Sequence, residues 1–279
     1  MKMKLYDRID KMVDGVKLAV GEEFAAYLYG SVMFDDYRED QSDVNVVFLT
    51  KYPLSDQQAE NALHLRERLA EKSGDKRFAE FCGAVLSEEA FLKGDPTTAV
   101  VYAKSGATIS HEGFAVSLCE RYSMFAANKK LFGKDVFAEQ PYPEQPEIVK
   151  EIKHRWSDVD VRSLGARKAF FAIYQAALDL YLLSCGEPCG KTDALLWAIE
   201  NGVADERSLM QAVALRLTKE ASKTEDAKSW ARSDAPQQLL QTLVDKMLSA
   251  GVAERKRDDY DASQAATKRP PLKMRKRQL

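Results

Sequence analysis

The chain has 279 residues, of which 45% are hydrophobic and 30% are charged, and its formal net charge is −2. This composition is typical of a soluble globular protein, and no window approaches the roughly 18 unbroken apolar residues that a transmembrane helix needs. The weakly acidic charge argues against broad nucleic-acid binding, whereas the four scattered cysteines and a charged N-terminal segment unlike a signal peptide predict a cytoplasmic protein.

Helical and strand-like segments alternate in the first half of the chain. The hydrophobic spacing predicts an amphipathic helix over residues 5–19, followed by a short apolar strand that ends at Gly30. The near-continuous apolar run of residues 43–49 is typical of a strand that is covered on both faces. Later segments complete a mixed α/β domain: a helix over 55–73, strands within 77–86 and 106–111, and a helix over 114–132.

A proline-rich segment, residues 140–147, is the best candidate linker, because proline disfavours helix and sheet interiors. Only helical patterns follow it, over 165–184, 192–202, 205–219 and 236–250. We therefore expect an α/β (α+β) domain, an all-α helical bundle and a disordered basic tail, at 1–140, 141–253 and 254–279.

The basic tail is the one part of the sequence that favours contact with RNA or an acidic lipid. Its last twelve residues, 268–279, carry six basic side chains and no acidic one. A terminal run of this kind with two prolines is more often simply disordered. We therefore expect no membrane partner, and no nucleic-acid partner apart from this tail.

Two short polar elements in the first half suggest a site. Gly30 allows a tight turn after a strand, and Ser31 would begin a short helical stretch whose free amides suit a phosphate. Asp43 and Asn45 alternate with valine, so they would point to the same side of the next strand. A charge at the start of a buried strand is costly unless something uses it. The alternative is that these residues form turns and caps in a solvated loop.

Apolar residues, Gly-Ser, a gap of about ten residues and then Asp-x-Asp on an apolar strand form a recognisable pattern. The sequence resembles in this respect the DNA polymerase β-like nucleotidyltransferase superfamily, which includes the minimal and aminoglycoside nucleotidyltransferases. The resemblance covers roughly residues 5–112. It implies Mg²⁺-dependent transfer of a nucleoside monophosphate from a nucleoside triphosphate to a hydroxyl of a small molecule or protein.

The resemblance also implies roles for individual residues. Gly30 and Ser31 would hold the β- and γ-phosphates of the nucleotide. Asp43 would bridge two Mg²⁺ ions, and Asn45 would occupy the second bridging position. Glu80, in the predicted third strand, would be the third metal ligand and would lie near the attacking hydroxyl.

Asn45 departs from the family pattern, which has an aspartate at this position. An amide oxygen can coordinate Mg²⁺, but it brings no negative charge and bridges two cations poorly. The second, catalytic metal is then the one we expect to be lost. The alternative to an active transferase is therefore a catalytically impaired module of the same fold that binds a nucleotide or a partner.

Two other motifs have simpler explanations. Gly190-Lys191-Thr192 resembles the end of a phosphate-binding P-loop, but that motif needs a glycine where Cys185 stands. Cys185 and Cys189 lack the further ligands of a zinc site. The sequence leaves the acceptor, the general base (Glu187 and Glu200 among the candidates) and homo-oligomerisation open.

Overall fold

The computed structural model describes residues 3–39, 42–138, 140–217 and 225–250. The predicted basic tail, residues 254–279, lies outside the described residues. Within these ranges, no helix combines the length and the apolar character needed to span a membrane.

In the described part of the chain, six strands form one mixed sheet. They are β1 (Phe24–Tyr29), β2 (Val44–Thr50), β3 (Phe81–Ser87), β4 (Thr97–Ala103), β5 (Gly106–Phe114) and β6 (Asn128–Phe132). The strand order is β5-β4-β3-β2-β1-β6. β2 and β3 run parallel, and the other neighbouring pairs are antiparallel.

The helices divide into those around the sheet and those that follow it. The first group is α1 (Leu5–Val20), α2 (Asp56–Leu63), α3 (Leu65–Ser73), α4 (Glu88–Lys93) and α5 (Leu118–Ala126). The second group is α6 (Gln145–Ser157), α7 (Ala166–Cys185), α8 (Lys191–Glu200), α9 (Glu206–Leu217), α10 (Glu225–Arg232) and α11 (Ala235–Ser249). The predicted fold class, a mixed α/β sheet domain with a helical portion, is confirmed.

The two faces of the sheet have separate cores. α1 packs on one face, where Ile9 and Met12 meet Val44 and Val46. On the other face Val47 packs with Tyr29 and with Met124 of α5. Because strand side chains alternate between faces, Asn45 lies on the same face as Tyr29, away from α1.

The helical half has its own core, and α5 contributes to it although it precedes the proline-rich segment. α7 packs against α8 and α11, and Cys119 and Tyr122 of α5 are buried in the same cluster. Residues 140–144 form no regular structure, and α6 then begins with Pro146 in its first turn. The predicted domain boundary at residue 140 stays a prediction.

Several predicted elements have different bounds in the structure. The helix predicted over 55–73 is divided at His64 into α2 and α3. The helix predicted over 114–132 was wrong in its second half, because α5 ends at Ala126 and the polar edge strand β6 follows. Strand β4 was not predicted. Glu80, expected inside the third strand, lies instead in a 3-10 turn that precedes β3.

A buried carboxylate joins the two halves. Asp36, just after the Gly30–Phe34 turn, accepts hydrogen bonds from the Lys191 amide at 3.0 Å and the Thr192 hydroxyl at 2.6 Å, both at the start of α8. It also pairs with Arg216 of α9 at 3.1 Å, and both side chains are at least 94% buried. Three donor atoms from two helices therefore make four hydrogen bonds to this one residue, since the same Arg216 nitrogen also binds its carbonyl oxygen.

We predict that Asp36→Asn lowers the free energy of unfolding by about 3–5 kcal/mol, because it leaves Arg216 as a buried cation without a counter-charge. Urea denaturation followed by circular dichroism would measure the change. Asp35→Asn is the matched control, since Asp35 is exposed and its left-handed backbone conformation suits asparagine. Equal stability of the two variants would contradict a joining role for Asp36.

Candidate functional site

A glycine allows the turn after β1 to pack closely against β2. Gly30 has a φ of +76°, and a Cβ atom at this position would lie only 2.4 Å from Nδ2 of Asn45. A side chain here would therefore collide with Asn45 as well as strain the backbone. Ser31 follows in a 3-10 turn of five residues, Gly30–Phe34, which is shorter than the helical stretch expected from the sequence.

Three polar side chains line one pocket at the start of β2. Asp43 comes directly before β2, and Asn45 pairs with Tyr29 on β1 and with Cys82 on β3. Asp43, Asn45 and Cys82 all line a pocket of about 360 Å³ that reaches Lys104 in the turn between β4 and β5. The structure therefore brings Asp43 and Asn45 together with the Gly30 turn.

Cys82 lies beside Asn45 on the neighbouring strand and lines the same pocket. It is opposite Asn45 in the parallel β2–β3 pair, so its side chain shares the pocket face. Burial, together with the nearby Asp43 carboxylate, raises the pKa of the thiol to about 11. Cys82 is thus a neutral thiol near pH 7 and adds no negative charge to the pocket.

Glu80 is not brought to this pocket. Its carboxylate pairs with Arg8 of α1 at 2.9 Å and lies 3.5 Å from the Tyr37 hydroxyl. Arg8 is 1% exposed and needs a counter-charge, which Glu80 supplies from the sheet face opposite Asn45. The prediction of Glu80 as a third metal ligand therefore finds no support in the geometry, because the 3-10 turn before β3 directs the side chain to α1.

The residues present fit one metal ion better than two. Among the residues that the structure describes, no group of three His, Cys, Asp or Glu side chains could hold a metal ion. Asp43 and Asn45 suit a single Mg²⁺ that arrives on a triphosphate, since such an ion needs only one or two protein ligands besides phosphate oxygens. A second bridged ion lacks its second carboxylate, so a two-metal site does not fit.

Glu120 is a pocket residue that the sequence did not reveal. Ser117-x-x-Glu120 has the pattern of a helix capping box, which suggests only a structural role. In the structure the Glu120 carboxylate lines the pocket and accepts a hydrogen bond from the Tyr29 hydroxyl at 2.8 Å. It remains exposed to the pocket although the walls desolvate it, and this desolvation raises its pKa.

Lys191 was also missed, because its Gly-Lys-Thr context explained it as the start of a helix. Its side chain is partly buried, and charged neighbours of both signs affect its pKa. Burial and Arg216 lower the pKa of Lys191, Lys104 lowers it further, and Asp43 and Asp36 oppose this shift. The ammonium is therefore within electrostatic range of Asp43, a proximity of residues about 150 positions apart that no local pattern indicates.

Comparisons with known proteins identify the fold. No protein-family model and no curated protein matches the chain. Among solved structures it is similar to spectinomycin adenyltransferase AAD(9) from Enterococcus faecialis, determined with ATP and spectinomycin. The TM-score is 0.65 at 14% identity, over 88% of this chain and 99% of that one. The chain has a nucleotidyltransferase-like fold.

We predict that Gly30→Ala destabilises the protein more than Gly74→Ala does. Both glycines have positive φ, but a Cβ at Gly74 meets nothing within 4 Å, whereas one at Gly30 meets Asn45. The control should cost about 1–2 kcal/mol of backbone strain, and Gly30→Ala should add the cost of displacing Asn45. Urea midpoints would test this, and indistinguishable values would contradict close contact between the turn and β2.

Proposed function

We propose that this protein binds a nucleoside triphosphate in the pocket beside the Gly30–Phe34 turn. The observation that carries the proposal is the close approach of Gly30 to Asn45, which places the turn directly against the Asp43–Asn45 segment. The ATP in the structure of spectinomycin adenyltransferase supports it, because that protein shares the fold over nearly its whole length.

In this proposal Gly30 and Ser31 contact the β- and γ-phosphates through the backbone of the turn. The Asp43 carboxylate and the Asn45 amide hold one Mg²⁺ on the triphosphate. Such an ion neutralises phosphate charge and orients the phosphates. Lys104, which is 2.7 Å from Asp43, keeps this carboxylate balanced before the nucleotide binds.

We expect Asp43→Asn to lower the affinity for ATP about tenfold in the presence of Mg²⁺, and to remove the difference between Mg²⁺ and EDTA. The variant loses the charged oxygen that Mg²⁺ prefers but keeps the side-chain shape. Isothermal titration calorimetry would measure both conditions, with Asp35→Asn as the control from the same loop. If ATP affinity in Asp43→Asn still differed between Mg²⁺ and EDTA, Asp43 would not be the metal ligand.

Nucleotidyl transfer to a hydroxyl is a second candidate function, and Glu120 is the observation that favours it. The attacking hydroxyl must lose a proton, and a carboxylate with a raised pKa suits a general base. Glu120 has these properties: it is exposed to the pocket and desolvated by its walls, and Tyr29 orients it. Burial keeps the Tyr29 pKa well above its usual value, so Tyr29 donates to Glu120 near neutral pH.

If Glu120 is this base, the transfer rate should rise with pH through a pKa above the ordinary glutamate value of 4.5, since only the ionised form accepts a proton. Glu120→Gln should remove this rise of the rate with pH and lower the rate about 10²–10⁴-fold, with little change in ATP affinity. Pyrophosphate release from ATP, with spectinomycin or water as acceptor, would test it.

Glu200→Gln is the matched control, because Glu200 is exposed at the end of α8 opposite Lys191, about 14 Å along the helix. Equal loss in both variants would rule out a specific role for Glu120. Normal ATP binding without any pyrophosphate release in the parent protein would leave the impaired, nucleotide-binding module as the function.

A further inference from the structure

The first turn of α5, which carries Glu120, binds a carboxylate from another helix. The side chain of Ser117 accepts a hydrogen bond from the Glu120 amide at 3.2 Å, as a helix cap does. The two preceding amides donate to Glu151 of α6: Leu118 N is 2.7 Å from its Oε2 atom, and Cys119 N is 3.4 Å from its Oε1 atom. Both carboxylate oxygens of Glu151 therefore bind the helix start that carries Glu120.

The contact with Glu151 anchors α5 where a helix most needs partners. The first amides of a helix have no acceptor within the helix, and the helix dipole favours a negative charge at this end. Glu151 supplies both the acceptors and the charge. The position of Glu120 in the pocket therefore depends on α6 as well as on its own helix.

Arg155 fixes Glu151 in turn. Its Nη2 atom is 3.1 Å from Glu151 Oε1, one helical turn away, and its Nη1 atom is 3.0 Å from Asp179 of α7. The buried Asp179 carboxylate also accepts hydrogen bonds at 2.8 Å from the Trp156 indole and from the Gln175 amide. Arg155 is thereby tied to the core of the helical half, and through Glu151 it extends this constraint to α5.

Glu120 is held on its other side by Tyr29 of β1, whose hydroxyl is 2.8 Å from the carboxylate. Burial raises the pKa of Glu120; the hydrogen bond from Tyr29 and the Arg155 guanidinium oppose this shift, and the Glu151 carboxylate adds to it. The two α6 residues thus act on Glu120 in opposite directions. The other charged side chains that line the pocket are those of Asp43 and Lys104.

We propose that Glu151 and Arg155 are positioning residues for Glu120, and that they fix its carboxylate in the pocket from the helical half of the chain. Neither residue lines the pocket, so each acts through α5. The inference rests on the second candidate function, nucleotidyl transfer, in treating Glu120 as a base. A base must lie within hydrogen-bond reach of the attacking hydroxyl, and a displacement of about 1 Å can cost roughly 10²-fold in rate.

Two variants that remove a charge test the proposal without an activity assay. ¹³C NMR of glutamate-labelled protein would follow the Glu120 carboxylate through a pH titration, with Glu120→Gln to assign its signal. Glu151→Gln removes a negative charge and should lower the pKa of Glu120, whereas Arg155→Met removes a positive charge and should raise it. A role confined to folding would not produce shifts of opposite sign.

The same variants should lower kcat more than they affect nucleotide binding. In pyrophosphate release from ATP, with spectinomycin or water as acceptor, each should lower kcat about tenfold to 10²-fold and leave the calorimetric affinity for ATP unchanged. Arg155→Lys keeps the charge and should restore part of the rate. Glu147→Gln and Lys150→Met are the matched controls, because both residues are exposed on α6. Thermal denaturation would confirm that each variant is folded.

The outcomes distinguish this proposal from the proposed function. A pKa of Glu120 that is unchanged in both variants, shifts that have the same sign, or an unchanged kcat in an active protein would overturn the positioning role. Opposite shifts in a protein that binds ATP but releases no pyrophosphate would support it and overturn nucleotidyl transfer. Failure to bind ATP would overturn the proposed function and leave the NMR result intact.

Discussion

The buried ion pair between Asp36 and Arg216 is the constraint on which the rest of the site depends. Asp36 follows the Gly30–Phe34 turn, whereas its partners belong to α8 and α9. A buried charge tolerates few arrangements, because any displacement that removes a partner costs several kcal/mol. The hydrogen bonds from Lys191 and Thr192 to Asp36 fix where α8 begins and place its first residue beside the Gly30–Phe34 turn. The same contact gives the Gly-Lys-Thr segment a structural role, as a docking point for Asp36 rather than as a P-loop.

The chemistry of the site follows from which face of the sheet each residue reaches. Asn45, Cys82 and Glu120 face the pocket, whereas Glu80 faces α1 and neutralises Arg8. A carboxylate side chain reaches the opposite face of the sheet if its residue is moved by one position along the strand, or if a 3-10 turn precedes the strand. The charged side chains that line the pocket are consequently the carboxylates of Asp43 and Glu120 and the ammonium of Lys104.

Sequence patterns predicted the local elements well and the site only in part. The helix over 5–19 and the strand that ends at Gly30 were confirmed, since both depend on spacing within one element. β6 was missed because an edge strand with polar residues lacks the apolar alternation of a buried one. Glu120 and Lys191 were missed for another reason: each has a strong local explanation as part of a helix start, and only tertiary packing brings them to Asp43.

Proton removal in the second candidate function depends on the side chains that line the pocket. A second metal ion would lower the pKa of the attacking hydroxyl. Asn45 and Cys82, which face each other across β2 and β3, carry no charge near pH 7 and do not suit such an ion. Proton removal must then come from a side chain, and the Glu120 carboxylate lines the same pocket as Asp43. The uncharged side chains that disfavour a second metal ion therefore make transfer depend on Glu120.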